Sequence, residues 1–153
     1  MMSEKFGGIV LKVAFRILVP FTIVYGVYIL CLGEFSPGGG FQAGALLSVG
    51  VVLARLVLGF DTTKFNIMGD TSLVLAGVGT FLYAFTGWLT IFGGAEYFLD
   101  YNFMPIKMEP VHEMHALGIF IIEVGVAICV MMTIINLLEA IVKRGEEPNG
   151  DSK

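Results

Sequence analysis

Residues 116–138 read ALGIFIIEVGVAICVMMTIINLL, a stretch with a single charged side chain, Glu123. A helix needs about 20 apolar residues to cross the hydrocarbon core of a bilayer. This stretch therefore predicts a transmembrane helix. The rest of the chain agrees: of 153 residues, 56% are hydrophobic and only 14% charged. A soluble domain carries nearer about a quarter charged residues, so the polar surface of a soluble protein is missing. The net charge of −4 comes with no basic stripe, which excludes a nucleic-acid partner.

Working outward, the apolar stretch extends to about 112–142, longer than the hydrocarbon is thick, so its ends protrude or tilt. Three more spans precede it, at about 8–33, 38–60 and 70–95. Lys12 and Arg16 in the first can snorkel to the interface. Pro20 kinks that span or ends a short amphipathic approach to it. The expectation is an all-α integral membrane protein: one transmembrane domain over 1–153, four helices packed as a bundle, and a polar tail at 145–153. Four spans put both termini and the loop 61–70 on one side. That side holds Lys5, Lys12, Arg16, Arg55, Lys64, Lys143, Arg144 and Lys153, against Lys107 alone on the other. Basic residues collect on the cytoplasmic side, so both termini are expected there. Tyr25, Tyr28, Trp88 and Tyr97 then form an outer aromatic belt.

Helices in lipid associate through close packing of small residues. The second span offers Gly40, Gly44 and Ser48 at helical spacing, and the third offers Ala76, Thr80 and Ala84, followed by Trp88. Cys31 and Cys129 sit in apolar runs and read as small hydrophobes. Arg55 could pair with a carboxylate, but its place near the cytoplasmic end of the second span favours snorkelling, and Glu139, Lys143 and Arg144 read as an interfacial helix end.

Glu123 is the polar residue that calls for an explanation. A carboxylate in hydrocarbon is costly, so it should face protein or water, and it is a functional candidate by default. At about 100° and 1.5 Å per residue, His112 lies within roughly 20° of Glu123 around the helix, and about 16 Å from it along the axis. His115 lies about 60° to the other side of His112. The three could form a relay from the outer surface inward. The plainer reading is two interfacial histidines and a carboxyl that bonds a neighbouring subunit. The string His112-Glu113-Met114-His115 lacks zincin spacing, so no metal site is expected.

Between the first two spans lies Gly33-Glu34-Phe35-Ser36-Pro37-Gly38-Gly39-Gly40-Phe41-Gln42-Ala43-Gly44. Pro37 suits the entry to a helix, the glycines permit positive φ and close backbone approach, and the helix N-terminus supplies a partial positive pole. The turn serves either to pack against a neighbouring helix or to face an ion. The segment strongly resembles the signature of the B subunit of Mrp (Mnh) type multisubunit sodium/proton antiporters, in which Ser36, Pro37, Gly38, Gly39, Gly40, Phe41 and Gly44 match the family's pattern. Length, span number and motif position agree over nearly the whole chain.

The resemblance implies a non-catalytic transport subunit without a cofactor, multi-pass in a prokaryotic cytoplasmic membrane. Its implied partners are A, C, D, E, F and G type antiporter subunits and the surrounding lipid. The same subunit set occurs in the sodium-translocating module of membrane-bound hydrogenases and related respiratory complexes, so a hydrogenase-like redox arm is the alternative home. Two other classes fit less well. Small exchangers that act alone place their acid in the first helix, and here the first helix has none. Bis-histidine haem anchoring needs facing histidines, whereas both histidines here crowd one end of one helix.

Overall fold

In the computed structural model the described residues are 9–35, 37–58, 70–105 and 111–146. Among the described residues there are four α-helices: α1 (Ile9–Cys31), α2 (Gly39–Leu58), α3 (Asp70–Phe92) and α4 (Val111–Glu146). All four are long and apolar enough to cross a membrane. A short 3-10 turn, Tyr101–Phe103, sits in the connection before α4. Helix α1 runs through Pro20 without a break. Lys5, Ser36, Lys64, Lys107 and the tail from 147 lie outside the described residues.

The helices do not close into the expected bundle. Among the described residues α1 packs mainly on α2, α2 on α4, and α4 on α3, while α3 meets neither α1 nor α2. The result is a single row in the order α1, α2, α4, α3. In water such a row would expose its apolar faces. In lipid those faces need no protein cover, because no hydrophobic force drives helices together there.

Glycine makes each seam of the row. Gly26 and Gly50 seat α1 on α2: a Cβ at Gly26 would press on Leu47 at 3.1 Å, and one at Gly50 on Ile23 at 2.9 Å. Gly40 and Gly44 bring α2 onto α4, where Gly40 lies over the backbone of Glu123 and a Cβ on Gly44 would come within 2.6 Å of the Ala127 carbonyl. Advancing four residues on each helix preserves the contact, so α2 and α4 run parallel. Gly79 and Gly125 join α3 to α4, with a Cβ on Gly79 2.5 Å from the Gly125 carbonyl. Contacts near Tyr83 for Gly125, and near Cys129 for Gly79, make that pair antiparallel.

The expected α2 stripe is present, with Gly40, Gly44 and Ser48 all buried. On α3 the buried line is instead Ser72, Gly79, Thr86, Gly87 and Thr90. Thr80 stays at the edge of this seam, 3.3 Å from the Cys129 thiol, and Trp88 is 57% exposed. Seven-residue steps from Ser72 through Thr86 follow a slightly supercoiled contact, which a search at four-residue spacing misses. Arg55 and Glu139 also differ from expectation: they are only 5% and 8% exposed. Both face the cavity between α2 and α4 instead of reaching outward.

Candidate carboxylate niche at the glycine turn

Helix α1 ends in tightening turns, with Gly33 N–H donating to the Leu30 carbonyl at 3.3 Å and Phe35 N–H to that of Leu32 at 2.9 Å. Gly38 and Gly39 then take φ of +112° and +28°, values that L side chains rarely adopt. The Gln42 N–H donates to the Gly38 carbonyl at 3.0 Å, launching α2. Phe41 is exposed beside the buried Gly40.

What the turn wraps is Glu123. A Cβ added to Gly33 or to Gly39 would collide with the Glu123 carboxylate, and one on Gly40 with the Glu123 main chain. Three of the turn's glycines therefore form a cradle that only hydrogen leaves open. The carboxylate sits against the first turn of α2, where unbonded N–H groups present the helix's positive pole. Packing and ion-facing were alternatives for this turn in the sequence. The structure shows the packing, on a surface that includes the ionisable Glu123.

Beside the cradle lies a cavity of about 330 Å³ between the end of α1 and the start of α4. Glu123, Glu34 and Glu113 line it, with Cys31, Leu117 and Phe120 as apolar walls. Among the described residues no three His, Cys, Asp or Glu side chains converge as metal ligands would.

The two histidines are placed differently from one another. His112 is exposed in the first turn of α4. His115 is half-buried, with Nε2 2.9 Å from Asn102 Oδ1 and its ring 6.1 Å from that of Tyr101. The connection 93–105 folds down over the ends of α3 and α4: Phe98 lies over Gly87, Phe103 over Gly93 and Tyr101 over Gly118. The Leu99 N–H reaches the Thr90 hydroxyl at 3.2 Å, and Asp100 Oδ1 accepts from the Asn102 main chain and side chain. Burial, and then the neighbouring Tyr83 and Glu123, push the Tyr101 hydroxyl above its ordinary value. Tyr101 thus remains a neutral phenol, its ring beside that of His115. Tyr101, Asn102, Glu34 and Glu113 are the members that spacing along α4 did not reveal. For Tyr101 and Asn102 the available signal was the density of aromatic and acidic residues in 96–103.

Four helices long and apolar enough to cross a membrane, with a carboxylate held against the glycine turn, define a small polytopic membrane protein. Residues 10–136 match the family described as a domain related to the MnhB subunit of Na+/H+ antiporter, and the chain belongs to that family. It is 27% identical to the Na(+)/H(+) antiporter B subunit of Bacillus subtilis (strain 168), over 88% of this chain and 97% of that one. It is 28% identical to the protein of the same name from Alkalihalophilus pseudofirmus, over 88% and 96% respectively. No solved structure matches the chain.

Proposed function

We propose that the chain is a non-catalytic membrane subunit of an Mrp-type multisubunit Na+/H+ antiporter, and that Glu123 takes part in proton or cation transfer within it. The observation that carries this reading is the cradle: the family's signature turn closes on one intramembrane carboxylate. Relatives matched over nearly their full length are named as antiporter B subunits. The row supports an assembly role, because a single layer leaves both broad faces of its helices for lipid or for A, C, D, E, F and G type neighbours.

In this reading the protein sits in a prokaryotic cytoplasmic membrane with both termini inside, as the skew of basic residues favours. The 330 Å³ cavity then opens toward the outer face. Glu34 and Glu113 attract cations to it, and His112 and His115, the latter hydrogen-bonded to Asn102 with its ring beside Tyr101, stand in the first turns of α4. Glu123 is the innermost carboxylate of the group.

Glu123→Gln preserves shape and hydrogen bonding while removing titration. The expected outcome is a complex recovered in full by pull-down, with sodium-driven proton flux in vesicles reduced at least about tenfold. Parental flux and an unchanged pH profile in that assembled variant would remove Glu123 from the mechanism.

A further inference from the structure

The surroundings of the Glu123 carboxylate offer different things to the two ions that an antiporter moves. Its covered side lies against Gly33 and Gly39, where a Cβ on either would stand. Those neighbours present C–H groups and no side-chain oxygen. The adjoining backbone is the first turn of α2, whose unbonded N–H groups carry positive partial charge. Carbonyls that could offset it are engaged. At the end of α1 those of Tyr28, Leu30 and Leu32 accept from the N–H groups of Leu32, Gly33 and Phe35 at 3.1, 3.3 and 2.9 Å, and in the turn that of Gly38 accepts from Gln42 at 3.0 Å. The open side faces the 330 Å³ cavity, where the titratable groups are Cys31 and Glu34 from the end of α1 and Glu113 from α4. The connection contributes Tyr101, with Tyr83 of α3 beside it, and His112 is exposed in the first turn of α4. Helix α2 brings no charge to this end, because its one ionisable side chain is Arg55 in its last turn.

A sodium ion held out of water needs several oxygen ligands in place of its hydration shell. Within membranes these come from unwound carbonyls and helix C-termini, whereas helix N-termini point at anionic groups. Glu123 has the second setting. The N–H pole of α2 suits the bare carboxylate and opposes a metal cation seated beside it. A proton needs no such shell. It bonds to one carboxylate oxygen and leaves a neutral acid resting on the glycines, and water in the cavity can bring it and take it away.

We infer that Glu123 is a proton-exchange site and not a sodium site: it takes up and releases a proton through the cavity, and sodium is bound elsewhere in the assembly. The inference rests on the proposed transport role of Glu123 and narrows it to one of the two ions. Gly33 and Gly39 help to set that choice, by pressing bare Cα atoms on the carboxylate where side-chain oxygens could otherwise stand.

The test is labelling of the whole complex with dicyclohexylcarbodiimide in de-energised membranes, with the label at Glu123 read by mass spectrometry. This apolar reagent adds to a protonated carboxyl. The labelling rate should fall about tenfold per pH unit once the group is mainly ionised. At fixed pH and ionic strength it should be the same in sodium as in choline, up to sodium concentrations that saturate antiport. Slower labelling in sodium would reveal a sodium ion on the carboxylate and overturn the inference, and so would a carboxyl that takes no label at any pH. Flux through the assembled Glu123→Gln complex separates this result from the reading beneath it. Sodium protection together with impaired flux refutes the proton assignment alone and keeps Glu123 in transport. Parental flux in that variant removes the transport role, and the proton assignment with it.

Discussion

Helix α4 has two seams, built with the same device and loaded differently. Toward α3, Gly79 and Gly125 bring backbones together, and the polar groups nearby are hydroxyls and a thiol. Thr86 and Thr90 each satisfy themselves on a carbonyl of their own helix, at 2.8 Å. Toward α2, Gly40 and Gly44 do the same packing, but the seam carries Glu123 at one end and Arg55 with Glu139 at the other. Hydroxyls bonded to their own helix pass through hydrocarbon at little cost, whereas carboxylates do not. Glycine contact by itself is thus an adhesive common to both seams, and the charge placed against it is what sets the α2 seam apart.

The largest expected effects test the shared part. Gly40→Val and Gly79→Val each drive a side chain into neighbouring backbone. Overpacking of this kind costs roughly 1–3 kcal/mol or more, so neither variant should yield assembled complex in a pull-down. Normal recovery of either would mean that its seam is not closed as described. A smaller and more selective effect separates the seams. Gly33→Ala first meets the Glu123 carboxylate, the end of a flexible side chain and not backbone. The complex should be recovered while antiport drops about tenfold, because the carboxyl is displaced and not the helix. Loss of the complex with Gly33→Ala would make the cradle a packing feature like the α3 seam.

The smallest effects lie on the α3 side. Thr80→Val removes the contact to Cys129. Interhelical hydrogen bonds in membranes average only about 0.6 kcal/mol. A slight fall in the thermal midpoint of the solubilised complex, with unchanged antiport, is expected. A marked loss of flux would give the α3 seam a transport role that its chemistry does not suggest. Gly77→Ala, which nothing approaches within 4 Å, should change neither assembly nor flux. If it breaks assembly, another subunit docks on that face of α3.

The four spans were legible because hydrophobicity at bilayer length is a local property of the chain, and the glycine stripe of α2 because four-residue spacing is local too. Glu123 stood out for the same reason, as one carboxylate in a run of apolar residues. Its cradle did not: Gly33 and Glu123 are far apart in sequence, and only the crossing of α2 on α4 brings them together. Arg55 and Glu139 are more buried than the sequence suggested, because a charge near the end of a span snorkels or sits at the interface by default and only tertiary packing turns it inward. The row itself was also beyond the sequence, since apolar faces read alike whether they meet lipid or protein. The sequence by itself thus determined which segments cross the membrane and which residue is costly to place there. Only the tertiary structure decided which helices touch, and so which charges share a seam, because contacts between distant segments leave no period in the chain.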